Sequence, residues 1–428
     1  MTTGNGETGL SRRRLLGATA AGVAISARRS RAQTPVTLTM VVWGAQAEEA
    51  AFRAALARYT TLHPSVTIRL EVAGTAAQAY QQVDTRLAGR QAPDIFRVQY
   101  QQIGRYASAR AIVDLGPYLP TGFAEAFGPA FWQAVTVKGK PYALPHHTDT
   151  FALYYNATIM QSLGIEPPKN LDKSWSWQDL IGIGRDIKAK NLAPYGFAMG
   201  WQNASYRWLP FLEQHGGSLL SSDLTKSQAA SAKSIETIAW TQSWFTEGLV
   251  PPSTSIKSGE QPQNLFANGT VGLLMAGDWQ IPFLSKNAKA PWGVTFMPRD
   301  VAMASDLGGN CLAVSRDSKN PEIAADVLKF LTDEANMREF VSQAQFLPVR
   351  SALMAQPIDY ELRPDAMAVF NQQATTIPKQ LVETVTLPKF SRISAVLADQ
   401  LDLAFTSGQS AEATAKAMDE RIQSVLDA

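Results

Sequence analysis

From Pro35 onward the chain alternates two periodicities. Val36-Thr37-Leu38-Thr39-Met40-Val41-Val42-Trp43 is a β-branched, apolar run of the kind that a strand buried on both faces requires. Ala47 to Thr60 follows, with Phe52, Leu56 and Tyr59 on one helical face, and the pattern stops before Pro64. Val66, Ile68, Leu70 and Val72 then alternate with Thr67, Arg69 and Glu71, which predicts a second strand. Tyr80, Val83 and Leu87 recur at helical spacing, and Ala92-Pro93-Asp94-Ile95-Phe96-Arg97-Val98 reads as a third, short strand. This order, β-α-β-α-β, predicts a mostly parallel sheet covered by helices. Ligands of such sheets bind beyond the carboxyl ends of the strands, so Trp43, Gln46, Gln99 and Tyr100 become candidate contacts.

A change of character comes at Lys138 to Asn156. Gly139 and Pro141 make a turn, Leu153, Tyr154 and Tyr155 sit in an apolar strand, and His146, His147 and Asp149 lie between. The stretch predicts a passage between domains that lines a cleft. Beyond it, Ser176 is placed to cap a helix running to about Lys190, and Tyr195 to Gly200 reads as a strand followed directly by Trp201, Gln202 and Asn203. Ile235 to Phe245 is helical. Leu265 to Met275 is a helix end, a glycine turn and a buried strand that closes at Gly277-Asp278-Trp279, and Trp292 to Met297 is one more strand. Leu307 to Ser315, with Gly308-Gly309-Asn310, predicts a second passage between domains. Asn320-Pro321-Glu322 opens the next helix with a cap, a proline and an acid, Leu347 to Arg350 is a turn, and Ser410 caps a final helix. Trp175 and Trp177 are assigned to packing.

At 428 residues the chain exceeds one ordinary core, so two domains are expected. The formal charge of +2 is uneven: residues 1–32 hold six arginines and one acid, a charge of +5, which leaves −3 for the rest. No basic patch points to nucleic acid. Cys311 is the single cysteine, which excludes an internal disulfide and a cysteine-based metal site. Ser11-Arg12-Arg13-Arg14-Leu15-Leu16, ahead of a short Ala- and Gly-rich apolar stretch and the small residues of Ser30-Arg31-Ala32, resembles a twin-arginine export signal cleaved before Gln33. No cysteine lies at that point, so the expectation is a soluble periplasmic protein without a lipid anchor. Nothing downstream approaches the 18 or so uninterrupted apolar residues of a spanning helix.

Pro93-Asp94-Ile95-Phe96, the Gly139 to Pro145 turn with Leu153 to Asn156, Phe266 to Met275, Gly308-Gly309 before Ala313-Val314-Ser315, and the Ser410-Ala411-Glu412 helix fall in a familiar order. It resembles that of the extracellular solute-binding proteins of bacterial ABC importers, and in particular the carbohydrate-binding branch that includes maltose-binding protein. The resemblance implies an α/β, two-lobed periplasmic binding protein fold, type II-like, with a ligand cleft between lobes that each carry a mostly parallel sheet flanked by helices. The lobes are expected at residues 33–148 with about 310–360, and at 149–309 with about 361–428. It also implies capture of a mono- or oligosaccharide by domain closure, delivery to the transmembrane subunits of the importer, a monomer, and no cofactor.

A sugar presents apolar C–H faces and hydroxyls that donate and accept, so its site needs flat aromatics and polar side chains. By the resemblance Trp279 is the stacking residue and Asp149 the hinge carboxylate, with Asp278 placed to take hydroxyls. Trp201 and Asn203 join them from the second lobe's strand end, and Gly308, Gly309 and Asn310 offer backbone amides. His146 and Arg350 complete the expected set, although a histidine at a hinge also serves as a packed structural group. Two other readings stay open. The same fold takes glycerol phosphates, phosphodiesters or polyamines, and a secreted glycoside-acting enzyme would also pair Asp149 with Asp278. Neither acid sits in a recognisable catalytic motif, and no Gly-x-Ser-x-Gly elbow, His-Glu-x-x-His helix or phosphate loop occurs, so a non-enzyme is expected.

Overall fold

The computed structural model describes residues 1–2, 4–6 and 35–428. The arginine-rich stretch from Ser11 to Ala32, with the expected export signal, lies outside the described residues. Two sheets organise the rest. In chain order their strands are β1 (Val36–Trp43), β2 (Val66–Ala73), β3 (Ile95–Gln99), β4 (Leu144–His147), β5 (Phe151–Asn156), β6 (Tyr195–Met199), β7 (Val271–Gly277), β8 (Trp292–Thr295) and β9 (Asn310–Val314). A short hairpin, Thr136–Val137 with Lys140–Pro141, stands apart.

The first sheet has the order β2-β1-β3-β9-β4. Its three amino-terminal strands are parallel, with Val36 opposite Val66 and Met40 opposite Ile95, as the β-α-β-α-β pattern predicts. Burial explains the composition of β1: it lies between β2 and β3, and Leu38, Met40, Val41 and Val42 are all at most 1% exposed. The helices α1 (Gln46–Leu62), α2 (Ala76–Ala88) and α3 (Tyr100–Ser108) connect and cover these strands, α1 through Phe52, Leu56 and Tyr59. Each such buried side chain contributes about 1.5–3 kcal/mol over an exposed one. β9 arrives from far along the chain and inserts antiparallel between β3 and β4.

The second sheet has the order β8-β5-β7-β6; β5 is antiparallel to both β8 and β7 and only β7 and β6 run parallel, so this sheet is mostly antiparallel where a mostly parallel one is expected. Local signals hold here as well. Ser176 accepts the Asp179 N–H at 3.1 Å while the Asp179 carboxylate accepts the Ser176 N–H at 2.7 Å, a reciprocal cap on the helix Trp177–Ala189. Ser410 caps the helix Ala411–Asp427 in the same sense. Trp177 packs as expected, with its ring 3.7 Å from that of Trp240. Asn320 departs from expectation: it occupies the N-cap position of the helix Pro321–Leu331, but its side chain makes no capping bond. Proline at the first turn and Glu322 carry that helix start instead.

The chain passes from the first sheet to the second through Thr148, Asp149 and Thr150, and returns between Thr295 and Asn310. The two passages are laced together. The Gly308 N–H donates to Asp149 O (3.1 Å), the Phe151 N–H to Asp306 Oδ1 (3.0 Å) and the Thr150 hydroxyl to Asp306 O (3.0 Å). Leu347 joins from a third stretch by exchanging backbone bonds with Thr148 at 2.9 and 3.0 Å. Farther along, the helix Phe390–Ser407 packs on α3 and on the helix Ala232–Thr246. Gly104 makes the first of those contacts close: a Cβ there would lie 2.4 Å from Pro388 Cα.

Candidate functional site

At the laced passages, the strand ends of the two sheets bring together two buried arginines, four acids and two tryptophans. Arg97 projects from the middle of β3, in a strand otherwise free of charge, and is 2% exposed. A buried guanidinium persists only where its donors are used and its charge is balanced. Its Nη1 donates to the Glu48 carboxylate at 2.5 Å and to the carbonyl of Trp43, and its Nη2 lies 2.6 Å from His147 Nε2. Its Cζ stands 4.9 Å from the Trp43 ring centroid, a cation–π contact. Glu48 is set in the first turn of α1, where its carboxylate also accepts the Ala45 N–H at 2.9 Å.

His147 accepts from Arg97 on Nε2, and Asn310 Nδ2 approaches the same atom at 3.3 Å, so its proton resides on Nδ1. Burial, and then the neighbouring Arg97 charge, hold its pKa well below the usual histidine value. His146 is pushed down to about 3 for the same reasons and packs 5.1 Å from Phe52 and 4.2 Å from Phe340, centroid to centroid. Both histidines are therefore neutral.

The second sheet contributes a parallel arrangement. Arg207 is 5% exposed, donates through Nη1 to the carbonyls of Gly200 (2.6 Å) and Trp201 (3.1 Å) and to Gln202 Oε1 (3.1 Å), and lies 3.9 Å from Asp306 Oδ2. Its Cζ stands 4.7 Å from the Phe151 ring and 5.1 Å from the Trp279 ring. Trp279 follows the end of β7 and is half-buried, with its ring folded over Gly277, where a Cβ would lie 1.7 Å from Trp279 Cζ3. Any larger residue at 277 would displace that ring. Asp278 is fully buried, and neither carboxyl oxygen has a hydrogen-bond partner.

Asp149 joins the two halves. A Cβ at Gly308 would lie 1.7 Å from Asp149 Oδ1, so the glycine is what admits the carboxyl. Gly309 adopts φ +93°, a conformation that strains other residues, and a Cβ there would lie 2.6 Å from the His147 carbonyl oxygen. Burial, and next the Asp306 charge, raise the Asp149 pKa to about 7, against the opposing pull of Arg207 and Arg97. Asp306 is raised to about 6 by burial, and Asp278 well above the carboxylate range by burial and Asp149. Each acid feels the others, which places them in one electrostatic unit.

Several expected contacts fall in this unit: Trp43, Asp149, Asp278, Trp279, Gly308, Gly309 and Asn310. Others do not. Trp201 is 2% exposed and packs among Phe211, Trp244 and Phe405 in the second core, because the turn after β6 directs its ring inward. Tyr100 is fully buried and donates to the His147 carbonyl at 3.0 Å, which makes it a support of the passage. His146 is a packed core histidine. Arg350 stacks 4.9 Å from Phe127 and donates to the Thr332 carbonyl, apart from the acids. Gln99 hydrogen-bonds the Tyr80 hydroxyl, and Gln46 and Asn203 are exposed. The pattern missed Glu48, Arg97, Arg207 and Asp306. Only Arg97 left a signal, a charge at a mid-strand position that should be buried.

Among the described residues no cluster of three or more metal-ligating side chains occurs, and no helix is long and apolar enough to cross a membrane. The chain is 24% identical over 314 residues to the maltodextrin-binding protein of Bacillus subtilis, covering 71% of this chain and 70% of that one. A putative binding protein of Brucella abortus is 26% identical over 297 residues, 67% of this chain and 69% of the relative. Among solved structures, an ABC substrate-binding protein of Listeria monocytogenes in complex with cycloalternan superposes with a TM-score of 0.80 at 20% identity, over 92% of this chain and 99% of that one. UgpB of Mycobacterium tuberculosis in complex with glycerophosphocholine superposes with a TM-score of 0.77 at 19% identity, over 90% and 98%. These likenesses carry the two-lobed periplasmic binding protein fold. Residues 43–338 match the family described as bacterial extracellular solute-binding protein, and the chain belongs to that family.

Proposed function

We propose that this protein is the sugar-capturing component of an ABC importer, binding its ligand between the lobes and presenting it to the membrane subunits by domain closure. The observation that carries the reading is that Trp43 and Trp279, one from each sheet, stack on Arg97 and Arg207, the two arginines whose charges act on the buried acid Asp149. Flat rings suit the C–H faces of a sugar, and carboxylates and Asn310 suit its hydroxyls. Relatives described as binding maltodextrin and galactooligosaccharide support the same class. The protein works as an exported periplasmic monomer, after a twin-arginine signal at residues 1–32 is removed. It binds without catalysis. Its lobes are residues 33–148 with about 310–360, and 149–309 with about 361–428.

Closure follows from the division of the site. A ligand that touches both lobes favours the closed form only by the difference between its affinities for closed and open states. A thermal-shift screen over neutral sugars, polyamines and glycerol phosphates tests the class, since a ligand that binds only the folded protein raises its midpoint. A shift by sugars is expected; shifts confined to polyamines or glycerol phosphates overturn the sugar reading. Release of reducing sugar during incubation with oligosaccharides would overturn the absence of catalysis. Small-angle scattering should show a more compact particle with ligand, and identical curves count against closure.

A further inference from the structure

Two buried acids of the interlobe site have no counter-ion among the described residues. Glu48 takes Arg97 at 2.5 Å, and Asp306 lies 3.9 Å from Arg207. Asp149 and Asp278, 6% and 0% exposed, have no ion-pair partner among the described residues. The buried atoms left without a hydrogen bond include both Asp278 oxygens, Asp306 Oδ2 and Asn310 Oδ1, beside Arg97 Nε, Arg207 Nε, His146 Nδ1 and His147 Nδ1. Both arginines are held against rings by cation–π contact and spend their Nη1 donors within the protein. The site thus offers a ligand two buried carboxyls without a counter-ion and two electron-rich indole faces. Beside a neutral polyol these carboxyls either keep the proton that burial favours or stay charged and unpaired, which is costly. An ammonium group supplies three donors and the missing positive charge in one substituent.

We propose that the physiological ligand is an amino-substituted saccharide whose protonated amine is held by Asp149 and Asp278. This rests on the sugar reading above and narrows it. A uronate or phosphodiester would add negative charge to the same pocket and is excluded by it.

The test is isothermal titration calorimetry with isosteric pairs, in which one hydroxyl is exchanged for an amine. Glucosamine and its β-1,4-linked dimer and trimer are compared with glucose, cellobiose and cellotriose, with galacturonate oligomers and maltotriose alongside. The amine form should bind at least about tenfold tighter than its neutral isostere, the scale of one hydrogen bond to a charged group. Asp278→Asn should reduce that preference to about twofold or less, and an undiminished preference would overturn the assignment.

The preference should grow as pH rises toward about 7, where Asp149 loses its proton, and fall again at higher pH as the sugar amine itself deprotonates. The groups that face Asp149 and set this profile are Glu48, Arg97, Arg207, Asp278, Asp306 and the Tyr100 and Tyr206 hydroxyls. If maltotriose or a cello-oligosaccharide binds as tightly as any amine form, or galacturonate binds, the amine assignment is overturned and the sugar reading stands. If no saccharide of any charge binds, both fall.

Discussion

Arg97 and Glu48 form the most closely paired buried ion pair of the site, at 2.5 Å with side chains 1% and 9% exposed, and the structure dictates what their separation costs. Arg97→Met keeps the aliphatic stem that packs beneath Trp43 and Phe52 but removes the charge. Glu48 then retains one hydrogen bond, from the Ala45 N–H, as a nearly dry carboxylate. Removing one partner of such a pair costs about 3–5 kcal/mol, most of it the uncompensated charge left behind. Glu48→Gln preserves shape and leaves Arg97 its bonds to Trp43 O and His147 Nε2, so the loss is smaller, about 1.5–3 kcal/mol. With both substitutions no lone charge remains. The double variant should be more stable than the sum of the single losses implies, by at least about 1.5 kcal/mol. Equilibrium urea unfolding of all four proteins, followed by tryptophan fluorescence, measures this directly. Losses that add to within about 0.5 kcal/mol would refute the pair as a coupled unit.

Three further outcomes follow from the same geometry. Trp279→Ala should weaken ligand binding by about 2 kcal/mol or more, in line with buried aromatic anchors; an unchanged dissociation constant by calorimetry removes Trp279 from the site. Asp149 has a folded pKa of about 7, above its unfolded value near 4, so the folded state holds the proton more tightly and this group lowers stability as pH rises between those values. The stability of Asp149→Asn relative to the parent should therefore increase from pH 4 to 7, by at most about 1.4 kcal/mol per pH unit; a difference constant with pH contradicts the raised pKa. Gly309→Ala, at φ +93° with a Cβ 2.6 Å from the His147 carbonyl, should destabilise by more than about 1 kcal/mol, and an unchanged urea midpoint refutes the constraint.

The elements themselves were legible because each is written within a dozen residues. β1 and β2 follow from β-branched and alternating runs, α1 from its apolar face, the helix at Trp177 from its cap, and the parallel order of the first sheet from the succession of those elements. The resemblance to a solute-binding family likewise rested on short motifs in sequence order.

The strand-end rule, applied alone, did not separate ligand-facing residues from packed ones. Trp201 and Trp279 both follow apolar strands. Yet positive φ at Gln202 and Asn203 turns the chain so that Trp201 packs into the core, while the missing side chain at Gly277 lets Trp279 lie at the junction. Tyr100 and His146 were drawn inward in the same way, one by the His147 carbonyl and the other by Phe52 and Phe340.

By itself, then, the sequence determined two α/β halves and the two glycine-bearing passages between them, since periodicity and turn chemistry are local. Only the tertiary structure decided which charges share a dry space. Glu48 meets Arg97, Arg207 meets Asp306, and Asp149 and Asp278 remain without counter-ions, because these residues come from separate elements that β9 and the two passages bring together. A carboxylate's burial, and with it its pKa and its demand for a partner, depends on that assembly and on nothing adjacent to it in the chain.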